Sequence, residues 1–258
     1  MRRRYPSRAL AVVAALLAGC AGGELSVGGE PAATRTAAEP ARGKTPFNPF
    51  TEIGPAAAGQ REVIENPTPA DIMKTGPLPE MALGRPDAPV TIIEYASLTC
   101  PYCRQFHLGT FPQLKREYID TGKVRFIIRE FPIGFQSGAA TIALRCAQPE
   151  AYFRLYEKFL VRQAAWVSQE VRRDPIFKIA AEVGMTRAQF DACYANRGMI
   201  EGLEWVKERG RTLGVIGTPN FFINGKLVKS VIGMKEIREM VDPILAGRVA
   251  RGDAAAIR

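Results

Sequence analysis

The sequence predicts an α/β protein whose strands are interrupted by a block of helices. Apolar runs rich in β-branched residues at 90–95 and 124–129 flank a helix-like stretch, which predicts strand, helix and parallel strand. From about residue 137 to residue 213 the apolar positions instead follow helical periods. A β-hairpin pattern then returns at 221–228. The predicted order is therefore β-α-β, a helical insertion, and β-β-α.

Two cysteines with two residues between them, Cys100 and Cys103, stand where the first strand gives way to a helix. Pro101 suits the first turn of a helix, where its missing N–H costs nothing. We therefore expect Cys100 at the helix N-terminus, where backbone N–H groups and the positive end of the helix dipole favour the thiolate. A thiolate of low pKa is a good leaving group, which is the property that a dithiol oxidant needs.

Two other interpretations of this CxxC pair stay open. It could be half of a zinc site, but zinc needs two more ligands, and the chain has one histidine, His107, and no second CxxC. It could also be a purely structural disulfide. The strand-to-helix position favours a redox-active dithiol over both.

The helical block divides into five predicted helices. Apolar spacing and end signals give 139–146, 152–165, 175–183, 187–194 and 199–213. Thr186 followed by Gln189 is a capping-box pattern at the start of the fourth of these helices.

The hairpin prediction depends on the dipeptide Asn224-Gly225, which favours a two-residue type I′ turn. Short apolar strands at 221–223 and 226–228 flank it. A last helix is predicted at 235–245, and Pro243 is expected to bend or end it.

The first 20 residues indicate an export signal. Four arginines precede an apolar stretch at 9–18 that is too short to span a membrane as a mature helix. The stretch ends in Leu17-Ala18-Gly19-Cys20, which resembles a bacterial lipobox. That resemblance implies a signal peptide at 1–19 and lipid attachment to Cys20. An ordinary signal peptide cut nearby and an uncleaved anchor are the alternatives.

Residues 20–80 have the composition of a linker, rich in Ala, Pro, Gly and Thr and without a lasting apolar period. We expect a flexible tether, although a part such as 71–74 could pack on the domain. Removal of residues 1–19 would lower the formal charge from +9 to +5, because four arginines and no acidic residue are lost. The remaining basic residues are dispersed, so no nucleic-acid partner is expected.

Three separated motifs resemble the DsbA-like thiol–disulfide oxidoreductases and occur in the order typical of that family. They are Ile93-Glu94-Tyr95-Ala96-Ser97 running into Cys-Pro-Tyr-Cys, then Arg129-Glu130-Phe131-Pro132, then Gly217-Thr218-Pro219-Asn220. The resemblance extends over about residues 81–247. It implies a thioredoxin fold in two parts, at 81–136 and 214–258, with a helical domain inserted at 137–213. The Pro-Tyr dipeptide between the cysteines departs from the family's best-known Pro-His and leaves the redox potential open.

The resemblance also implies where a substrate would lie. Thr218–Pro219 would be a cis peptide beside the dithiol, and its backbone could pair with an extended substrate. Pro101 and Tyr102, between the cysteines, would contribute to the same surface. An ordinary trans turn at Pro219 is the alternative.

Glu94 is the other informative position, because a carboxylate in an apolar strand is costly without a partner or a function. In the family, a buried acid at this position serves proton transfer for the second cysteine, here Cys103. The alternative is an exposed glutamate on an edge strand. His107 follows Cys103 by four residues, and we interpret it as a packed helix residue rather than a base.

Cys146 and Cys193 both fall on predicted helices of the insertion. A second disulfide between such positions resembles one subgroup of the family. Two buried free thiols are the alternative.

The activity implied by the resemblance is protein-disulfide oxidation, with the Cys100–Cys103 disulfide as the reagent and no further cofactor or metal. The implied partners are exported cysteine-containing proteins and a quinone-linked membrane oxidase resembling DsbB. The implied location is the periplasm, with the chain held to a membrane by its N-terminal lipid. A disulfide isomerase or reductase on the same fold, a metal-handling lipoprotein and a purely structural lipoprotein remain as alternatives.

Overall fold

A five-stranded mixed sheet lies at the centre of the folded chain. The computed structural model describes residues 63–250. The strands are β1 (Met81–Leu83), β2 (Val90–Ala96), β3 (Val124–Glu130), β4 (Asn220–Ile223) and β5 (Lys226–Val228), and their order in the sheet is β1-β3-β2-β4-β5. The pair β2–β3 is parallel, and the other neighbouring pairs are antiparallel. The predicted parallel crossover and the returning hairpin are therefore confirmed.

Helices cover both faces of this sheet. They are α1 (Pro69–Met73), α2 (Pro101–Gly109), α3 (Phe111–Leu114), α4 (Phe135–Arg145), α5 (Tyr152–Val161), α6 (Gln163–Trp166), α7 (Arg173–Ala181), α8 (Arg187–Cys193), α9 (Arg197–Thr212) and α10 (Met234–Ala250). Helices α4 to α9 follow one another between β3 and β4, which confirms the predicted helical insertion. Within the described residues, none of the helices is both long and apolar enough to cross a membrane.

Side-chain alternation along β2 divides the core between the two faces of the sheet. Val90 and Ile92 lie in the larger apolar cluster, together with residues of α2, α4, α5 and α10. Ile93 and Tyr95 lie in a smaller cluster on the opposite face, together with Ile72 of α1. Glu94 follows the alternation of Val90 and Ile92, so it points toward the face that α2 covers.

The segment before β1 differs from the expected flexible tether. Ile72 is buried, Arg129 of β3 donates a hydrogen bond to its carbonyl at 2.6 Å, and Arg209 of α9 donates to the carbonyl of Asp71 at 2.6 Å. The prediction of a linker through residue 80 is therefore wrong for 63–80, and the alternative that 71–74 packs on the domain is right. The cause is long-range: these partners lie more than 50 residues further along the chain. The predicted signal peptide, Cys20 and the tether up to residue 62 lie outside the described residues.

Pro243, which the sequence predicted to bend or end the last helix, does not end it. Helix α10 runs from Met234 to Ala250 with Pro243 inside it. The proline removes one backbone hydrogen bond. Ile237 and Val241 are fully buried, and Ile244 packs against the same cluster, so apolar contacts on both sides of the proline hold the helix in place.

Local turn and cap signals, in contrast, are confirmed. Asn224 and Gly225 have φ values of 46° and 92°, the left-handed conformation that a type I′ turn requires at both positions. Thr186 caps α8 and accepts a hydrogen bond from the backbone N–H of Gln189 at 3.2 Å.

A disulfide joins Cys146, at the end of α4, to Cys193, at the end of α8. The Cα atoms are 6.0 Å apart, and 47 residues separate the two cysteines in the chain. This is the second disulfide implied by the family resemblance, and the alternative of two free thiols is excluded. It ties together two helices of the insertion.

Candidate active site at the first strand-to-helix junction

The dithiol lies at the N-terminus of α2, where the sequence predicts it. Cys100 is the N-cap residue, Pro101 begins the helix, and the backbone N–H of Cys103 donates to the Cys100 sulfur at 3.4 Å. Both are free thiols, but Cys100 is half-buried whereas Cys103 is 0% exposed. Of the two sulfurs, only that of Cys100 is therefore accessible from solvent. In the part of the chain that the structure describes, no three His, Cys, Asp or Glu side chains converge as a metal site.

The two sulfurs have opposite pKa shifts. The pKa of Cys100 is lowered to about 6, mainly by a hydrogen bond from the Cys103 side chain. Burial acts in the opposite direction, whereas the Thr218 side chain and nearby backbone N–H groups lower the pKa further. Burial raises the pKa of Cys103 well above its usual value, with further contributions from Cys100 and from the charge of Glu94. At neutral pH, Cys100 is therefore a thiolate and Cys103 a thiol.

A turn that follows the helical insertion in the chain lies next to Cys100. The peptide Thr218–Pro219 is cis, and when Cys100 is protonated its thiol donates to the Thr218 carbonyl at 3.1 Å. The residues in contact are 118 positions apart in the chain. The two parts of the fold on either side of the insertion thus meet at the reactive sulfur.

A groove of about 480 Å³ opens beside this turn. Tyr102, Thr218 and Pro219 line it, together with Ile216, which is 82% exposed. Pro101 is exposed but is not among the lining residues. Three of the four residues expected to contact substrate therefore share one groove, and their role in binding stays a prediction.

Glu94 lies in the central strand β2, hydrogen-bonded between β3 and β4, and is 0% exposed. This position excludes the alternative of an exposed glutamate on an edge strand. Its Oε2 atom lies 2.6 Å from Nε2 of His107, whereas its Oε1 atom is buried without a hydrogen-bond partner among the described residues. The role of Glu94 in proton transfer stays a prediction.

His107 is more than the packed helix residue that we expected. Its ring is buried among aromatic side chains, and besides Glu94 it has the Tyr156 hydroxyl 3.3 Å from Nε2. The four-residue spacing from Cys103 could have indicated a shared helix face. The spacing does not reveal the rotation of α2 relative to β2, and it is this rotation that brings the His107 ring next to Glu94.

Gln163 is a site residue for which the sequence offers no signal. It comes from α6, in the insertion, and its Nε2 atom donates to the carbonyl of Leu98 at 2.8 Å and to that of Cys100 at 2.9 Å. These bonds hold the backbone that leads into the dithiol. The insertion therefore helps to position Cys100.

Comparison with known proteins identifies the family. The family model described as thioredoxin matches residues 78–243. A Rickettsia bellii protein that carries the name protein-disulfide oxidoreductase is 32% identical over 151 residues, which are 57% of this chain and 57% of that protein. Disulfide bond formation protein D of Bacillus subtilis is 23% identical over 175 residues, or 64% of this chain and 77% of that protein. The chain thus spans little more than half the length of the rickettsial relative.

Solved structures agree with this assignment. The α-DsbA1 protein of Wolbachia pipientis superimposes with a TM-score of 0.64 at 27% identity, over 70% of this chain and 98% of that chain. Oxidised BdbD of Bacillus subtilis superimposes with a TM-score of 0.61 over 72% of this chain and 100% of that chain, and at 21% identity it supports the fold alone. The chain therefore belongs to the thioredoxin family, and its structure is similar to those of DsbA-like proteins.

Proposed function

We propose that the chain is an extracytoplasmic dithiol oxidase that introduces disulfides into exported cysteine-containing proteins. The observation that carries this proposal is the placement of the two cysteines at the start of α2. Cys100 is the N-cap residue, is half-buried and accepts a hydrogen bond from the backbone N–H of Cys103, whereas the Cys103 side chain is fully buried. Stabilisation of the Cys100 thiolate favours the reduced enzyme over its disulfide. A disulfide whose reduced form is stabilised is a strong oxidant, because it readily accepts electrons from other thiols.

The reaction begins with the oxidised enzyme and a substrate thiolate. The thiolate attacks the Cys100 sulfur, the Cys100–Cys103 bond breaks, and Cys103 leaves with the electron pair and takes up a proton. A second substrate thiolate then attacks the substrate sulfur of the mixed disulfide, and Cys100 leaves as a thiolate. The substrate has lost two electrons to become a disulfide, and the enzyme has gained them as a reduced dithiol.

The surface around Cys100 suits an extended, unfolded substrate. Tyr102 and Ile216 expose apolar area on the groove, and Thr218 and Pro219 present backbone next to the sulfur. An extended chain could pair with that backbone as an added strand. Such binding depends on the main chain and so tolerates many substrate sequences.

Glu94 would exchange the proton of Cys103 in this cycle, since it is the buried acid whose charge acts on that thiol. A quinone-linked membrane oxidase resembling DsbB would restore the enzyme disulfide. A lipid on Cys20 would hold the chain to a membrane on the periplasmic side, near such a partner. The name of the Bacillus subtilis relative, disulfide bond formation protein D, supports the same direction of reaction.

The reduction potential of the Cys100–Cys103 couple tests this proposal. The full chain, purified in detergent, is equilibrated with mixtures of reduced and oxidised glutathione, and alkylation of the peptide with both cysteines is measured by mass spectrometry. We expect a potential above about −200 mV, in the range of disulfide donors. A value near about −270 mV, typical of thioredoxin, would contradict an oxidase and favour a reductase on the same fold.

A further inference from the structure

We propose that His107 and Glu94 work as one proton-exchanging pair for Cys103, and that the His107 ring passes the proton between this buried pair and solvent. The inference rests on the proposed function, because it concerns the thiol that leaves and returns during dithiol exchange. It assigns His107 as a positioning and proton-relay residue that acts through Glu94.

The contacts give the pair its geometry. His107 Nε2 lies 2.6 Å from Glu94 Oε2, a short hydrogen bond between two groups that both carry ionisable protons. Cys103 and His107 are four residues apart on α2 and both belong to its buried side. The second oxygen, Glu94 Oε1, is buried with no hydrogen-bond partner among the described residues, and the charge of Glu94 acts on the Cys103 thiol.

Burial explains why the acid needs this partner. An isolated carboxylate in an apolar core is costly, whereas a carboxylate and an imidazole that share one proton are neutral overall or form a compensated ion pair. The proton can therefore lie on either group without leaving a bare charge in the core. A pair of this kind can accept or release a proton as Cys103 changes between thiol, thiolate and disulfide.

Exposure indicates how the proton reaches water. Cys103 and the Glu94 side chain are both 0% exposed, whereas the His107 side chain keeps 5% of its surface exposed. The ring is therefore the point at which this chain of groups touches solvent. Phe106 and Phe111 pack against the ring.

The other polar groups around the pair are unable to replace it. From α5, Tyr156 faces His107 and Tyr152 stacks against Tyr156, and burial raises the pKa of both phenols well above its usual value. From β3, Glu130 accepts a hydrogen bond from Tyr152 at 2.7 Å and is paired with Arg145 of α4 at 2.5 Å. The phenols thus stay protonated, and the charge of Glu130 is already compensated.

The proton balance follows from these positions. When a substrate thiolate attacks Cys100, the S–S bond breaks and both of its electrons go to Cys103. Cys103 takes a proton from the Glu94–His107 pair, which then regains a proton from water through His107. During reoxidation the direction reverses. The pair accepts the Cys103 proton as that thiolate attacks the Cys100 sulfur of the mixed disulfide and releases the other thiolate.

The single histidine of the chain allows a direct test without any substitution. Isotope-labelled histidine in the full chain gives one imidazole signal, whose titration is followed by NMR in the oxidised and in the reduced protein. We expect the midpoint of the titration to differ between the two forms, because reduction adds the Cys103 thiol to the pair. An identical midpoint in both forms would overturn the inference.

A kinetic test separates this inference from the proposed function. Reduced enzyme is mixed with oxidised glutathione, and two steps are followed: formation of the Cys100 mixed disulfide, then its displacement by Cys103. We expect His107→Gln to slow the second step by at least about tenfold and to flatten its pH profile, with the first step unchanged. Leu108→Gln, an exposed neighbour on the same helix, is the matched control and should leave both steps unchanged.

The two outcomes are distinguishable. If the parent chain forms no mixed disulfide at Cys100, the proposed function fails. If the parent completes both steps and His107→Gln completes the second with the parent's rate and pH profile, the relay fails while the oxidase stands.

Discussion

The hydrogen bond between the two thiols should control the acidity of Cys100. The side chain of Cys103 is the largest cause of the low Cys100 pKa of about 6. A hydrogen bond to a charged group contributes about 1.5–3 kcal/mol, which equals about one to two pKa units. Because Cys100 is partly open to solvent, we take the lower end. Cys103→Ala should therefore raise the pKa of Cys100 to about 7, whereas Cys103→Ser, whose hydroxyl still donates, should keep it near 6.

The assay is the rate at which iodoacetamide alkylates Cys100 in the full reduced chain, measured across pH by mass spectrometry of its peptide. At pH 6 the thiolate fraction should be about one half in Cys103→Ser and about one tenth in Cys103→Ala. Far-ultraviolet circular dichroism checks that both variants fold. Equal midpoints in the two variants would refute the reasoning and assign the low pKa to the backbone N–H groups and the helix dipole instead.

Four further predictions concern redox linkage and stability. The reduction potential should fall by about 60 mV per pH unit below the Cys100 pKa of about 6 and by about 30 mV per pH unit above it. Above this pKa, reduction of the disulfide takes up one proton instead of two. Protein-film voltammetry would detect the change of slope. The same depressed pKa means that the reduced form loses stability as pH falls from about 9, the ordinary cysteine value, to about 6. The disulfide form lacks this contribution, and paired urea titrations of the two forms would show the difference. Replacing Cys146 and Cys193 together by alanine should lower the free energy of unfolding by about 4 kcal/mol for a separation of 47 residues, and no loss in urea denaturation would contradict the chain-entropy account. If the segment before β1 belongs to the fold, Ile72→Ala should lower the free energy of unfolding by about 2–3 kcal/mol in the same urea measurement. Ile216 is 82% exposed, so Ile216→Ala should lower it by less than about 0.5 kcal/mol.

Several features of the site follow from residues that are close together in the sequence. The position of Cys100 at a helix N-terminus depends on a strand, a proline and a helix within a few residues. The type I′ turn at Asn224-Gly225 depends on two residues that tolerate positive φ. Such features were predictable because backbone conformation and capping are decided by neighbours along the chain.

Motif order allowed the family to be recognised, and with it the cis peptide at Pro219 and the pairing of Cys146 with Cys193. Neither follows from local physics alone. An X-Pro bond is seldom cis by its own preference, and a disulfide needs two Cα atoms within about 7 Å. Both features were expected from the resemblance, and the tertiary structure contains both.

The amino-acid sequence by itself determined the α/β class, the helical insertion, the dithiol at a helix N-terminus and the apolar strand that contains Glu94. Only the tertiary structure decided that Glu94 meets His107, that Gln163 of the insertion holds the backbone before Cys100, and that the segment around Ile72 packs on the sheet. The physical reason is the range of the interactions. Periods, caps and turns act over a few residues, whereas these contacts depend on the rotation and packing of elements that fold together from distant parts of the chain.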